Sequence, residues 1–353
     1  MKLKNFHSYF KKKPYFIADI AANHDGSIVR AKKLIRLAAK NGADAAKFQN
    51  FFADTIVSDK GFKDLKKGLS HQSKWKKSVY NVYKAAELPL KWTIELKREC
   101  KRNNIEYFTA PYDEGIINYL NNHLNFWKIG SGDITWHENV LKMAKTKKPI
   151  MIATGASNLN EVVDIIKKVE KINKKIIIMQ CNTNYTADDK NFNFINLKVI
   201  NEFRKLFPKY ILGLSDHTLG SETVLGAIAL GATVIEKHFT DDNSREGPDH
   251  KFSMNPIEWN KMIVSSNKLF LSLGDGKKKI ENNEKATSII QRRSIRIKKD
   301  LKKGSIIKKE DLICLRPCPI DAAAPYEINK FIGKKINKNL KKHDYLKWSL
   351  IKK

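Results

Sequence analysis

Short apolar runs recur eight times between residues 15 and 239: YFIADIA, DAAKFQ, EYFTAP, FWKIGSG, PIMIATG, IIIMQCN, ILGLSDH and TVIEKHF. Their length and nearly unbroken apolar character predict strands buried on both faces. Between most of them, apolar residues recur three and four positions apart, as in 28–39, 85–100, 159–169 and 222–230. That spacing predicts amphipathic helices. Eight strands alternating with helices over about 250 residues fit an α/β fold of the (β/α)8 TIM-barrel type. An open doubly wound sheet is the alternative, but no glycine-rich nucleotide fingerprint follows the first run.

Beyond residue 273 the texture changes. GDGKKKIENNEKATS is polar, and the runs that follow it, SIRIKK, LKKGSIIKKEDL and IGKKI, are short and separated by turn residues. The expected organisation is a barrel over 1–280, a linker over 281–290 and a small, mostly β domain over 291–353.

Polar residues collect where each apolar run ends. The tips carry Asp19, Asn23 and His24; Lys47 and Gln49; Lys128, Ser131 and Asp133; Thr154; Asn182, Thr183 and Tyr185; Ser215, Asp216 and His217; Glu236 and His238. Barrel enzymes place their chemistry at the C-terminal ends of the strands, which share one mouth. Any one of these residues could cap the next helix, and Asp216 or Ser221 could do only that. A set drawn from seven strands is too large to consist of caps alone.

Composition narrows the classes. The 353 residues carry a formal net charge of +30, which raises nucleic acid or an anionic membrane as a partner. The excess is mostly lysine spread along the chain, whereas an electrostatic footprint is clustered, so neither partner is expected. The charge would still draw anionic metabolites toward the protein. The four cysteines, Cys100, Cys181, Cys314 and Cys318, show neither metal-site nor secreted-framework spacing, and no run approaches a membrane span. The N-terminus lacks the apolar core of a signal peptide, so the cytoplasm is the expected location.

Two strand-end histidines, His217 and His238, are the best metal ligands among nine. Two imidazoles leave positions open for water and substrate oxygens, as a catalytic metal requires. Imidazole with oxygen suits Mn²⁺, Co²⁺, Zn²⁺ or Fe²⁺. Lys47 and Lys128 inside a barrel mouth are costly unless paired, which points to a phosphate or carboxylate ligand. A Schiff-base lysine is the rival use. Asp19, Asp133 and Glu236 could move a proton or hold sugar hydroxyls.

The motifs ADIAANHDGS, GADAAKFQ, WKIGSGD, ATGAS, GLSDHT, EKHFTDDNSREGPDHKFSMNP and QRRSI together resemble the sialic acid synthases, the group of N-acetylneuraminate, legionaminate and pseudaminate synthases. The C-terminal segment resembles their antifreeze-like, or SAF, domain, so the resemblance covers almost the whole chain. It implies that phosphoenolpyruvate condenses with an N-acylated hexosamine, giving a nine-carbon 2-keto-3-deoxy sugar acid and phosphate. On that resemblance His217 and His238 match metal ligands, the ion being Mn²⁺ with Mg²⁺ or Co²⁺ as alternatives. Lys47, Lys128, Ser131 and Ser215 match phosphoenolpyruvate contacts, while Gln49, Tyr185 and Asp249 match residues that hold the acceptor. Asp19, Asp133 and Glu236 occupy acidic positions of the catalytic site.

The chain departs from the family pattern at several points. Asp19 stands where many members carry Glu, Thr183 where Asn is frequent, and Ala110 where a hydroxyl residue is usual. Arg316 and Pro317 match the start of an Arg-Pro-Gly loop that continues here as Cys318-Pro319. Arg316 is expected to reach the acceptor's acyl group in the partner barrel of a swapped homodimer. The competing readings are a related phosphoenolpyruvate-dependent synthase or aldolase acting on a different aldose, and a basic module that binds an anionic polymer.

Overall fold

The computed structural model of the protein describes residues 3–65, 72 and 75–351. It divides into two compact units, Met1–Gly274 and Asp275–Lys353.

The first unit is built on eight parallel strands: β1 (Tyr15–Asp19), β2 (Ala45–Asn50), β3 (Glu106–Pro111), β4 (Trp127–Ile129), β5 (Ile150–Ala153), β6 (Ile176–Cys181), β7 (Ile211–Asp216) and β8 (Val234–His238). Their hydrogen-bonded order is β3-β2-β1-β8-β7-β6-β5-β4, and β3 lies beside β4, so the sheet curls into a nearly closed barrel. All eight strands are buried along all or almost all of their length, as the apolar runs require when helices cover the outside. Ser27 caps the helix Ile28–Lys40, and Asn158 with Glu161 forms a capping box on Leu159–Glu170. The periodicity over 85–100 is broken in the structure. Helix Val79–Ala86 ends, Pro89 intervenes, and Thr93–Arg102 starts a second helix after a short 3-10 turn. Proline removes a backbone donor and restricts its predecessor, so the helix cannot run through.

The opposite, N-terminal end of the barrel is closed by the helix Leu3–Lys11. Its Phe6 and Phe10 are fully buried, and Phe10 packs edge-on against Tyr15 at the start of β1 and Phe126 just before β4. The cavity lies at the other end, lined by the strand ends that carry the polar residues.

The second unit has its own core, centred on Ile295, Ile297, Ile307, Phe331, Ile336 and Leu346. Strand β9 (Ser294–Ile297) pairs antiparallel with β10 (Leu312–Leu315), and isolated bridges such as Leu301 to Leu340 complete a small β-rich fold. The segment 281–290, expected as a linker, is largely helical: a 3-10 turn at Asn282–Glu284 runs into the helix Lys285–Gln291. This helix buries no residue, so it leaves no apolar stripe by which periodicity could reveal it.

Candidate active site

Register brings the charged tips together. In the ladder Asp19 is paired with Lys47 on one side and with His238 on the other, while Ser215 is paired with Glu236. Paired residues of parallel strands face the same way, so these side chains converge inside the barrel. Lys47 and Lys128 are each only 2% exposed. Lys47 Nζ donates to Asp19 Oδ2 and, at 3.3 Å, to Glu236 Oε1. Lys128 Nζ lies 3.1 Å from the same Glu236 oxygen, which also accepts from Ser215 Oγ at 3.1 Å.

Two buried ammonium groups thus meet two buried carboxylates. An unpaired charge at this depth would cost several kcal/mol, so the set is stable only as a set. Burial opposes the Glu236 carboxylate, but Lys128 and Lys47 outweigh it and hold its pKa down at about 2. Burial also opposes the Lys47 ammonium, and Asp19 with Glu236 raises its pKa regardless. Asp19 is pulled up by burial and down by Lys47, with burial the larger effect. A lysine held this firmly as an ammonium is a poor Schiff-base nucleophile and a good anion ligand.

The two imidazoles lie above this floor with ring centres 5.3 Å apart. His217 Nδ1 donates to the Asn182 carbonyl at 2.9 Å, which fixes the proton there and leaves Nε2 with its lone pair. His238 Nε2 lies 3.4 Å from Asp19 Oδ2, and its buried Nδ1, 4.0 Å from Asp249 Oδ2, has no hydrogen-bond partner among the described residues. Burial first, and then His238, lowers the pKa of His217 to about 4; burial, then Lys47, lowers that of His238 to about 3. Both rings are neutral near pH 7, the state in which imidazole binds a metal. Among the described residues no group of three or more His, Cys, Asp or Glu is arranged to hold a metal ion. The two imidazoles, with an unsatisfied buried nitrogen, fit a divalent ion completed by other oxygen ligands.

Around them the remaining tips form a wall. Thr183 Oγ1 donates to Ser131 Oγ at 2.8 Å, and the pair closes over Gly155, where a Cβ would collide with the Thr183 hydroxyl. Burial pushes the Asp133 carboxyl up to about 6. Asp249 also reaches about 6, by burial and the nearby Asp19, although the Ala22 amide donates to it at 3.1 Å. The loop bearing Asp249 is latched to the loop after β1. His250 Nε2 lies 3.0 Å from Asp25 Oδ1, and Arg245 makes two bonds to Asp25 Oδ2.

Every barrel residue assigned to the site from sequence, Gln49, Tyr185 and Asp249 included, lines one cavity of about 460 Å³. Arg316 belongs to the second unit, where it is exposed on the loop after β10. Some tip residues do other work. Asp216 turns outward to the fully buried Lys237 and to the hydroxyls of Thr218 and Thr223. Asn23 ties the Phe239 carbonyl to Ser253, and Thr154 donates to the Met179 carbonyl.

Sequence reading missed two parts of the wall. One is the insertion between β2 and β3, which supplies Phe51, Ile56, Gln72, Trp75, Val82, Tyr83 and Ala86. Its helices, such as Ala53–Ile56 and Asp59–Asp64, are too short to show a period. The other is Tyr112, one residue past the run EYFTAP; the rule that strand ends face the mouth would have reached it.

Family models match both units. The NeuB family matches residues 34–278, and the SAF domain matches residues 292–352. The chain belongs to the NeuB family. Over 95% of its length it is 37% identical to an N,N'-diacetyllegionaminic acid synthase of Campylobacter jejuni, 99% of which is covered. A pseudaminic acid synthase of the same species is 35% identical, with 99% of each chain covered. Among solved structures, the N-acetylneuraminic acid synthetase of Leptospira borgpetersenii in complex with citrate aligns with a TM-score of 0.67 at 27% identity, over 78% of this chain and 90% of that one. As a NeuB-family member the chain is an enzyme of the sialic, legionaminic and pseudaminic acid synthases, whose reaction condenses phosphoenolpyruvate with a sugar. Among the described residues no helix is long and apolar enough to cross a membrane.

Proposed function

We propose that this NeuB-family enzyme joins phosphoenolpyruvate to the open-chain aldehyde of an N-acylated hexosamine, releasing phosphate and a nine-carbon 2-keto-3-deoxy sugar acid. C3 of phosphoenolpyruvate forms the new bond to the aldehyde carbon, whose oxygen becomes a hydroxyl. Water adds at C2, and phosphate leaves with cleavage of its C–O bond. The observation that carries this reading is the buried floor of Lys47, Lys128, Asp19 and Glu236 beneath two neutral imidazoles.

An arriving anion would take over the ammonium groups that the carboxylates now hold. Lys47 and Lys128, with the hydroxyls of Ser131 and Ser215, would bind its phosphate and carboxylate. Thr183, bonded to Ser131, would orient that hydroxyl. Gln49, Tyr185 and Asp249 would hold the sugar. Glu236, now an acceptor from Ser215 and both lysines, is placed to take a proton only once the arriving anion draws those lysines away, and Asp133, with a pKa near 6, to give or take one near neutrality. His217 through Nε2 and His238 would hold a divalent ion, Mn²⁺ on this reading with Mg²⁺ or Co²⁺ as alternatives. When bound, such an ion supplies polarisation of the aldehyde oxygen. The same reading places the enzyme in the cytoplasm as a domain-swapped homodimer.

The test is phosphate release from phosphoenolpyruvate against a panel of hexosamines, including N-acetylmannosamine and 2,4-diacetamido-2,4,6-trideoxyhexoses, with and without divalent metal. Release that needs both an N-acylated hexosamine and the metal is expected. Release only with other aldoses, or a borohydride-trapped lysine adduct, would overturn the reading.

A further inference from the structure

Tyr112 extends the β2–β3 pairing one residue past Pro111, its amide donating to the Asn50 carbonyl at 3.0 Å. It lies two residues beyond Ala110, which is paired with the cavity residue Gln49, and so faces inward. Its ring packs edge-on against Phe51, at 6.1 Å and 80°. Its hydroxyl comes so close to Gly130 that a Cβ there would lie 2.7 Å from Oη, with Cε1 at 3.1 Å and Cζ at 3.2 Å. Only glycine leaves the phenol that space. The hydroxyl lines the cavity and makes no hydrogen bond to any described residue. Burial, reinforced by Asp133 and Asp19, raises its pKa well above the ordinary phenol value, so it stays a donor.

Its height in the barrel decides what it meets. Phe108, four residues earlier, is the partner of Lys47, and Gly130 lies two residues beyond Lys128. Both relations put Oη above the lysine floor, toward the mouth, beside Asp133. An anion seated on the lysines leaves this level to the second substrate.

We propose that Tyr112 donates a hydrogen bond to an oxygen of the acceptor sugar, and that residue 130 is glycine to admit the phenol. This rests on the condensation reading above. The experiment compares steady-state kinetics of wild type, Tyr112→Phe, Gly130→Ala and the double variant, using the best acceptor of the hexosamine panel. Losing one neutral hydrogen bond should raise the acceptor KM of Tyr112→Phe about three- to tenfold and leave the phosphoenolpyruvate KM unchanged. Gly130→Ala should cost more in the wild-type background than in the Tyr112→Phe background, because the sharpest contact, at 2.7 Å, goes with the hydroxyl while the ring carbons at 3.1 and 3.2 Å stay in both. An unchanged acceptor KM, or equal rises for both substrates, overturns the role of the phenol. Equal cost of Gly130→Ala in both backgrounds overturns the role of the glycine. If wild type releases no phosphate with any hexosamine, the condensation reading falls and this inference falls with it.

Discussion

Asp133 is a carboxyl that the fold keeps closer to its proton than water would. Its pKa is raised by burial from 3.8 to about 6, so the ionised form is the less stable one in the native state. Below about pH 4 the group is protonated in both native and unfolded chains and contributes nothing. Between pH 4 and 6 its cost grows, and above 6 it is constant. A shift of this size corresponds to about 3 kcal/mol, which partial contact with solvent reduces to about 1–2 kcal/mol. Asp133→Asn should therefore stabilise the protein by about 1–2 kcal/mol at pH 8, and the gain should disappear as pH falls from 6 to 4. Denaturant titrations at pH 4, 6 and 8 check it; a gain that is equal at all three contradicts the assignment. The lysines bear on ligand as well as fold, since removing either charge also leaves a buried carboxylate short of its cation. Lys47→Met and Lys128→Met should each weaken phosphoenolpyruvate use tenfold or more, since a charge-assisted contact contributes about 1.5–3 kcal/mol. Loss confined to the sugar, in either variant, would move the anion site elsewhere.

At the scale of elements, β7 and β8 are joined twice, once on each face. Inward, Ser215 bonds Glu236; outward, Asp216 meets Lys237 in a fully buried pair that also engages Thr218 and Thr223. The outward pair clamps the two strand ends from which His217 and His238 project. Lys237→Met leaves the Asp216 carboxylate buried without its cation and should cost about 3–5 kcal/mol. Lys237→Met with Asp216→Leu removes both charges and should cost less than the single change, as measured by denaturant unfolding. These strands also explain what sequence can disclose. Alternation along a short parallel strand has few solutions when both faces are buried, so apolar runs with polar ends identify the strands and the residues at the mouth. Sequence does not disclose which tip turns inward: Ser215 and Asp216 are neighbours, and only strand register separates the ligand contact from the clamp. Nor does it disclose the insertion after β2, where short helices bury Ala53 and few others and their packing comes from the barrel wall. The helix Leu3–Lys11 was hidden by its charge, since its two buried phenylalanines stand among lysines.

The whole molecule carries +30, so two copies repel at long range, and any dimer must overcome that through contacts. The repulsion is screened beyond about 10 Å at 0.1 M ionic strength, which makes moderate salt the right condition for exchanging subunits. On the proposed swapped arrangement the exposed Arg316 of one chain serves the barrel of the other. A guanidinium suits that task, because its planar fork can hold a carbonyl oxygen. Arg316→Ala should then raise the acceptor KM with little change for phosphoenolpyruvate, while His217→Ala should abolish turnover from its own barrel. Neither variant alone has a complete site. Mixed in equal amounts and allowed to exchange, half the dimers contain one chain of each kind. In a swapped dimer one of the two sites then unites the sound barrel of the Arg316→Ala chain with the sound Arg316 of its partner. About a quarter of wild-type sites should therefore reappear, and phosphate release should rise as exchange proceeds. If each Arg316 served its own barrel, no mixed dimer would contain a whole site. Activity would then stay at the sum of the two variants however long they are mixed, and the swapped arrangement would be wrong.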